Sequence, residues 1–285
     1  MIEKYLLPEP DGLPTRPSQD YVLYKLKALS TYLKIAITAV GKKWPEIFYI
    51  DLQAGPGKND VGNSVVLGSP LIALTTEKHP TQFRFNELDP ELKNALDQRI
   101  SASPLKDRVK SYQADVNEVI IQICDEIRER DRLARVNRQP SVLNIAFLDP
   151  EGLELHWVTV EQLASMNRMD LIINFSTQGI IRNIGAGNFE VVNRFFGTDQ
   201  WREIDKPGSS PVARRRVLID FYRQRLEKFG YHIKIDPELG GDEIAISNSK
   251  NSQIYSLIFA SKHPIADKFW KEATKNVKQP RLLGF

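Results

Sequence analysis

Apolar residues recur at helical spacing from residue 22 onward: Val22, Leu26, Leu29, Leu33, Ala36, Ile37 and Val40. The stripe predicts an amphipathic helix that stops at Gly41, with Ser18-Gln19-Asp20 offering capping chemistry in front of it. Beyond it the period changes. Short apolar runs at 47–52, 82–87, 108–113, 143–148, 170–175, 231–236 and 254–260 read as strands, separated by helical stretches near 69–78, 90–102, 116–135, 158–166, 188–196 and 212–229. Strands alternating with helices predict an α/β fold: a doubly wound, mostly parallel sheet of seven strands, the last inserted antiparallel. Residues 1–18 carry four prolines and little periodicity, which predicts an extended N-terminal arm. Residues 58–67 and 205–211 look loop-like, and residues 176–211 predict a small helical insert over the strand ends.

The first strand run stops at Asp51-Leu52-Gln53-Ala54-Gly55-Pro56-Gly57. Glycines there let the backbone turn sharply and approach a ligand without a Cβ in the way. A phosphate-binding P-loop is excluded, because Leu52 stands where its first glycine belongs and Asn59 replaces the hydroxyl residue that would hold magnesium. A dinucleotide fingerprint would need its third glycine at Asp60, so it is weakly supported. What remains is an acid at a strand end followed by Ala-Gly-x-Gly, the pattern of S-adenosylmethionine-dependent methyltransferases. In that pattern the glycines make room for the methionine part of the cofactor and the acid orients its ammonium.

Ligands of open parallel sheets bind at the carboxyl ends of the strands, so the later strand ends form one surface with this turn. Glu87 closes the second strand and fits an acceptor for ribose hydroxyls. Asp115-Val116 follows the third and fits an adenine contact, although Asp115 equally fits the cap of the next helix. The fourth ends Asp149-Pro150-Glu151-Gly152. An Asp-Pro pair after a buried strand suits the grip on an acceptor amino group. The aromatic that would stack on a target base is missing from the motif; Phe175 or Trp157 could take its place, or either could be core. Arg214-Arg215-Arg216 offers a phosphate contact or a solvated helix face.

With 285 residues, 41% of them hydrophobic, one large domain is the expectation. The net charge of +3 neither demands nor forbids a nucleic-acid substrate. No run approaches the roughly 18 apolar residues of a membrane span, and Met1-Ile2-Glu3-Lys4 lacks the start of a signal peptide, so a soluble, cytoplasmic protein is expected. Cys124 is the single cysteine, which excludes an internal disulfide. His79, His156, His232 and His263 show no metal-type spacing, so no metal site is expected.

Taken in order, Asp-Leu-Gln-Ala-Gly-Pro-Gly-Lys at 51–58, Gly68-Ser69-Pro70-Leu71-Ile72-Ala73, Phe147-Leu148-Asp149-Pro150, Asp170-Leu171-Ile172-Ile173-Asn174-Phe175, Phe196-Gly197-Thr198 and Tyr255-Ser256-Leu257-Ile258-Phe259-Ala260 resemble the three-Cys-motif partner family (TcmP). The resemblance runs from about residue 20 to about 275. It implies that residues 19–285 form a Rossmann-like methyltransferase domain using S-adenosylmethionine. It also implies a three-cysteine, radical-enzyme-like partner protein, whose cysteines need no counterpart here. On the leading reading of the strand ends, Asp51, Gln53, Ala54, Gly55 and Gly57 meet the methionine end, Glu87 the ribose, and Asp115 and Val116 the adenine. The resemblance delivers no substrate; the Asp149-Pro150 pair itself, read as the catalytic pair, makes a nitrogen of a nucleic-acid base the expected acceptor. Two positions depart from the family: Gln53 stands where an aromatic is common, and Glu151 where Phe is. The departures favour an alternative in which the chain binds cofactor as a silent or regulatory partner. A different nucleotide-dependent enzyme on the same sheet is a third possibility.

Overall fold

Five consecutive residues, Ile47–Asp51, are all buried, as a strand covered on both faces must be. They form β1 of a seven-stranded sheet with β2 (Gln82–Asn86), β3 (Val109–Tyr112), β4 (Leu143–Leu148), β5 (Met169–Phe175), β6 (Glu243–Ser247) and β7 (Gln253–Ala260). The computed structural model describes residues 3–206, 208–232, 243–247, 253–275 and 277. The strand order is β3-β2-β1-β4-β5-β7-β6. β1 to β5 run parallel, while β7 is antiparallel to β5 and β6 is antiparallel to β7. That order and the inserted β7 make the doubly wound, Rossmann-like methyltransferase fold expected from the sequence. Strand order reverses between β1 and β4, so their carboxyl ends open a crevice.

The helices are α1 (Val22–Val40), α2 (Ser69–Thr75), α3 (Pro90–Ser101), α4 (Val116–Val136), α5 (Trp157–Ala164), α6 (Thr177–Gly185), α7 (Phe189–Phe196), α8 (Trp201–Ile204), α9 (Pro211–Glu227) and α10 (Pro264–Thr274). Strand alternation divides the core between the two faces. Phe48, Ile50 and Leu52 pack with the α4, α5 and α9 side. Ile47 and Tyr49 pack with α1, α2, α3 and α10. α6, α7 and α8 are the small helical insert, and Val192, Phe195, Phe196 and Trp201 bury it on the first of these cores. No described helix is long and apolar enough to cross a membrane.

Four local expectations change. Residues 58–67 are a hairpin, Lys58–Asp60 against Val65–Leu67, and Arg16–Pro17 pairs in parallel with it to make a second, three-stranded sheet. The sixth strand is Glu243–Ser247, a short edge strand that the apolar pattern passes over. The run at 231–236 shows only a bridge between His232 and Ser261, and its residues 233–236 lie outside the described residues. α1 has no side-chain cap; the Ser18 hydroxyl donates instead to Arg16 O and Asn59 Oδ1. α10, missing from the periodicity, starts where His263 accepts from the Ile265 N–H and Pro264 takes the first turn.

Candidate functional site

A cavity of about 260 Å³ lies where α1 crosses the carboxyl ends of β1, β4 and β5. Its floor is the glycine turn. Gly55 has φ +62° and Gly57 φ +91°, values that side-chain-bearing residues rarely adopt. A Cβ on Gly57 would sit 3.2 Å from Leu71 Cγ and 3.3 Å from Leu96, so that glycine is needed for packing beneath the turn. A Cβ on Gly55 would meet the Arg16 guanidinium at 3.7 Å, on the cavity side. The turn is held from behind. The Gly55 N–H donates to Glu87 Oε2 at 2.8 Å, the Ala54 N–H to Asn86 O at 2.9 Å, and Arg99 donates to Pro56 O at 2.6 Å.

Two acids flank the floor. Asp51 ends β1 fully buried, with hydrogen bonds to Ser69 and Tyr49. Burial pushes its carboxyl up to about 7, and the charge of Asp149 pushes the same way against those hydrogen bonds. Asp149, on the cavity wall after β4, is gripped by the Lys25 ammonium of α1 at 2.6 and 2.7 Å and accepts from Asn174 Nδ2 at 2.7 Å. Lys25 also lies 5.5 Å from the centre of the Tyr255 ring, whose hydroxyl donates to Tyr21 O at 3.1 Å.

The segment before α1 roofs the cavity. Asp11 is buried with Arg99 and Lys58, all three side chains fully withdrawn from solvent, at 2.7 to 2.8 Å. Lys58 further donates to Lys4 O and Glu9 O. This knot fastens residues 4–14 to the glycine turn, since Lys58 follows Gly57 and Arg99 also holds Pro56. Arg16 then reaches over Gly55 and pairs with Glu151 at 2.6 Å.

Buried polar atoms without a hydrogen-bond partner gather here. They are Asp51 Oδ1, both ends of the Gln53 amide, Asn174 Oδ1 and Arg16 Nε. Orphaned polar atoms are costly unless something meets them. An α-amino acid group, with an ammonium and a carboxylate on adjoining atoms, matches such a mixed set of acceptors and donors. The residues present therefore fit the methionine end of S-adenosylmethionine.

Of the residues singled out from sequence, Gln53, Ala54, Gly55, Gly57, Asp149 and Pro150 share this cavity, and Asp51 lies beneath it. Glu87, Asp115 and Val116 do not line it. The Glu87 carboxylate is spanned by the N–H groups of Gly55 and Asp89. Asp115 caps α4 by accepting from the Asn117 N–H at 2.7 Å, and Val116 is core. Neither proposed stacking residue reaches the cavity. Phe175 is enclosed by Phe195, Phe196 and Tyr222, and Trp157 lies buried against Tyr222 under the Arg225 guanidinium. Within the arginine run, Arg214 is paired with Asp205 and Arg216 with Asp220. Cys124 is buried, and burial pushes its thiol up to about 11, which fits packing rather than chemistry. Sequence reasoning missed Arg16, Lys25, Ser69 and Tyr255. Asn174 carried a signal, a polar residue in an otherwise apolar strand; Lys25 looks like any solvated helix lysine.

No family model matches the chain, and no curated protein matches it. Among solved structures, it is similar to a protein from Legionella pneumophila at 11% identity and a TM-score of 0.43, covering 90% of this chain and 92% of that one. An O-methyltransferase from Bacillus cereus in complex with SAH shares 11% identity, a TM-score of 0.41 and 82% and 80% coverage. The O-methyltransferase TomG from Streptomyces achromogenes, involved in tomaymycin synthesis and solved with SAM, gives 10%, 0.40, and 83% and 79%.

Proposed function

We propose that the chain is an S-adenosylmethionine-dependent methyltransferase that holds the methionine end of its cofactor in the cavity between α1 and the ends of β1, β4 and β5. One observation carries the reading: unpartnered polar atoms of Asp51, Gln53, Asn174 and Arg16 converge around a turn whose Gly55 leaves room for a ligand. Asp51, in its ionised form, is the group to meet the ammonium. When bound, the cofactor supplies a methyl group on a sulfonium, and in-line positioning of the acceptor dominates its transfer.

We take the acceptor to be a nitrogen of a nucleic-acid base. Asp149 sits on the cavity wall, and a carboxylate there accepts a hydrogen bond from an exocyclic amino group. Tyr21, half-buried on the same wall, offers a ring for base stacking in place of Phe175 or Trp157. A duplex base would have to be flipped out of the stack to reach it. Such an amino group takes over hydrogen-bonding capacity of Asp149 that Lys25 and Asn174 use in the structure.

That occupation favours a second reading. A carboxylate already holding an ammonium and an amide is poorly free to grip a substrate, as expected of a cofactor-binding partner of a three-cysteine protein that performs no transfer. Calorimetry with S-adenosylmethionine followed by labelled-methyl transfer to mixed RNA and DNA separates the two. Binding with transfer supports the enzyme; binding without transfer to any nucleic acid supports the silent partner. No binding sinks both.

A further inference from the structure

Among the described residues of the roof, Arg16 is the one whose cation lies over the glycine turn and whose side chain is incompletely partnered. Its terminal nitrogen pairs with Glu151 at 2.6 Å, while Nε is buried without an acceptor. A guanidinium is built to bind a carboxylate through two parallel N–H groups, and here the fork is only half used by the acid it has. Glu151 is a weak holder. Its side chain is 71% exposed, and exposed ion pairs contribute little because water and salt compete for both charges. The Arg16 backbone, by contrast, is fixed: Arg16–Pro17 pairs with Asn59–Asp60, and the Asp11 knot lies just before it.

We propose that Arg16 is the carboxylate-binding residue of the cavity, and that Glu151 is an internal competitor that a ligand carboxylate displaces from it. The proposal rests on the cofactor reading above and deepens it: Asp51 takes the ammonium of the α-amino acid group and Arg16 its carboxylate. It gives the departure at Glu151 a use. An acid at the mouth keeps the guanidinium oriented over Gly55 until a ligand carboxylate displaces it. Holding the ligand carboxylate would position the cofactor without taking part in the transfer itself, so Arg16 is a positioning and specificity residue.

The test compares binding of two ligands by calorimetry: S-adenosylhomocysteine, and S-adenosyl-3-thiopropylamine, which keeps the amine and loses only the carboxylate. Arg16→Gln is expected to weaken S-adenosylhomocysteine by about tenfold or more, the scale of one charge-assisted hydrogen bond, and to leave the amine unchanged. Glu151→Gln, at an exposed side chain whose loss does not threaten folding, is expected to strengthen S-adenosylhomocysteine by about two- to fivefold and again to spare the amine. An equal effect of Arg16→Gln on both ligands, or none on either, overturns the assignment to Arg16. Weaker binding of S-adenosylhomocysteine by Glu151→Gln overturns the competition. If the unaltered protein binds neither ligand, the cofactor reading itself falls and takes this proposal with it.

Discussion

The Lys25 ammonium lies 2.6 Å from Oδ2 and 2.7 Å from Oδ1 of Asp149, bridging α1 and the end of β4 across 124 positions of sequence. Both side chains are about nine-tenths withdrawn from water, at 12% and 10% exposure. Attraction at that depth is strong, and so is the cost of leaving either charge alone.

Removing one partner should therefore destabilise far more than removing both. Lys25→Met is expected to cost about 3–5 kcal/mol, and Lys25→Met with Asp149→Asn clearly less than the sum of the single changes. Urea unfolding of the three variants measures the coupling. Strictly additive losses would mean that the two groups do not act as a pair.

Asp51 sets a pH dependence whose sign follows from its raised carboxyl. An unfolded Asp titrates near 3.9, whereas burial, with the help of Asp149, moves Asp51 to about 7. The folded state thus holds this proton more tightly. Its contribution to stability is full below about pH 4 and is lost as pH rises through 7. A cationic ligand wants the opposite, ionised form. Binding of S-adenosylmethionine is expected to strengthen between about pH 5.5 and pH 7, by at most about tenfold per unit, and Asp51→Asn should flatten that rise. Calorimetry across the range reads it directly, and an unchanged slope in the variant would assign the titration to another group.

Acid sensitivity belongs to Asp11. Burial alone would raise its carboxyl, but hydrogen bonds from Arg99, Lys58 and the Leu13 N–H outweigh it and hold it well below the usual carboxylate range. The stabilisation is present above about pH 4 and fades as pH falls below that. Asp11→Asn strands Lys58 and Arg99 with no counter-charge at full burial and is expected to cost about 3–5 kcal/mol. Its stability should also fall less steeply in acid than that of the unaltered protein, as thermal melts between pH 2 and pH 5 would show.

The two glycines of the turn separate packing from ligand contact. Gly57→Ala drives a methyl against Leu71 and Leu96 at positive φ and should lose about 1–3 kcal/mol of stability. Gly55→Ala meets only ordinary contact with Arg16, so its cost is the left-handed backbone, about 1–2 kcal/mol. Yet Gly55→Ala puts its methyl on the cavity side and should impair cofactor binding more than Gly57→Ala, judged at equal fractions folded. The reverse ranking would move the ligand away from this turn.

Much of this architecture is legible from period and spelling. The stripe from Val22 to Ile37, the continuous apolar run of β1 and the glycines after Asp51 each follow from burial or from a turn that needs positive φ. What failed to announce itself is short or is held by distant partners. β6 pairs along an edge, where little burial is needed to make a strand. Lys25 faces an acid that no local pattern connects to it. Arg16 sits among prolines in a segment without periodicity, and its importance comes from where the Asp11 knot carries it. Glu87 shows the limit on the other side: a strand-end acid has the spelling of a ligand contact, and its carboxylate clasps the Gly55 and Asp89 amides.

The cavity wall takes Arg16 from one end of the sequence and Tyr255 from far beyond the first five strands, and the Tyr255 hydroxyl reaches back to Tyr21. During synthesis, β1 to β5 can emerge and pair long before β7 exists to bring Tyr255 against α1. Contacts so widely separated in sequence form late, because the loop between them must first be closed. Ligand affinity would then arise as one of the last events of folding, and a nascent or truncated chain that stops short of residue 255 would carry the glycine turn without a finished pocket around it. The wall is therefore complete only in protein that has folded through β7.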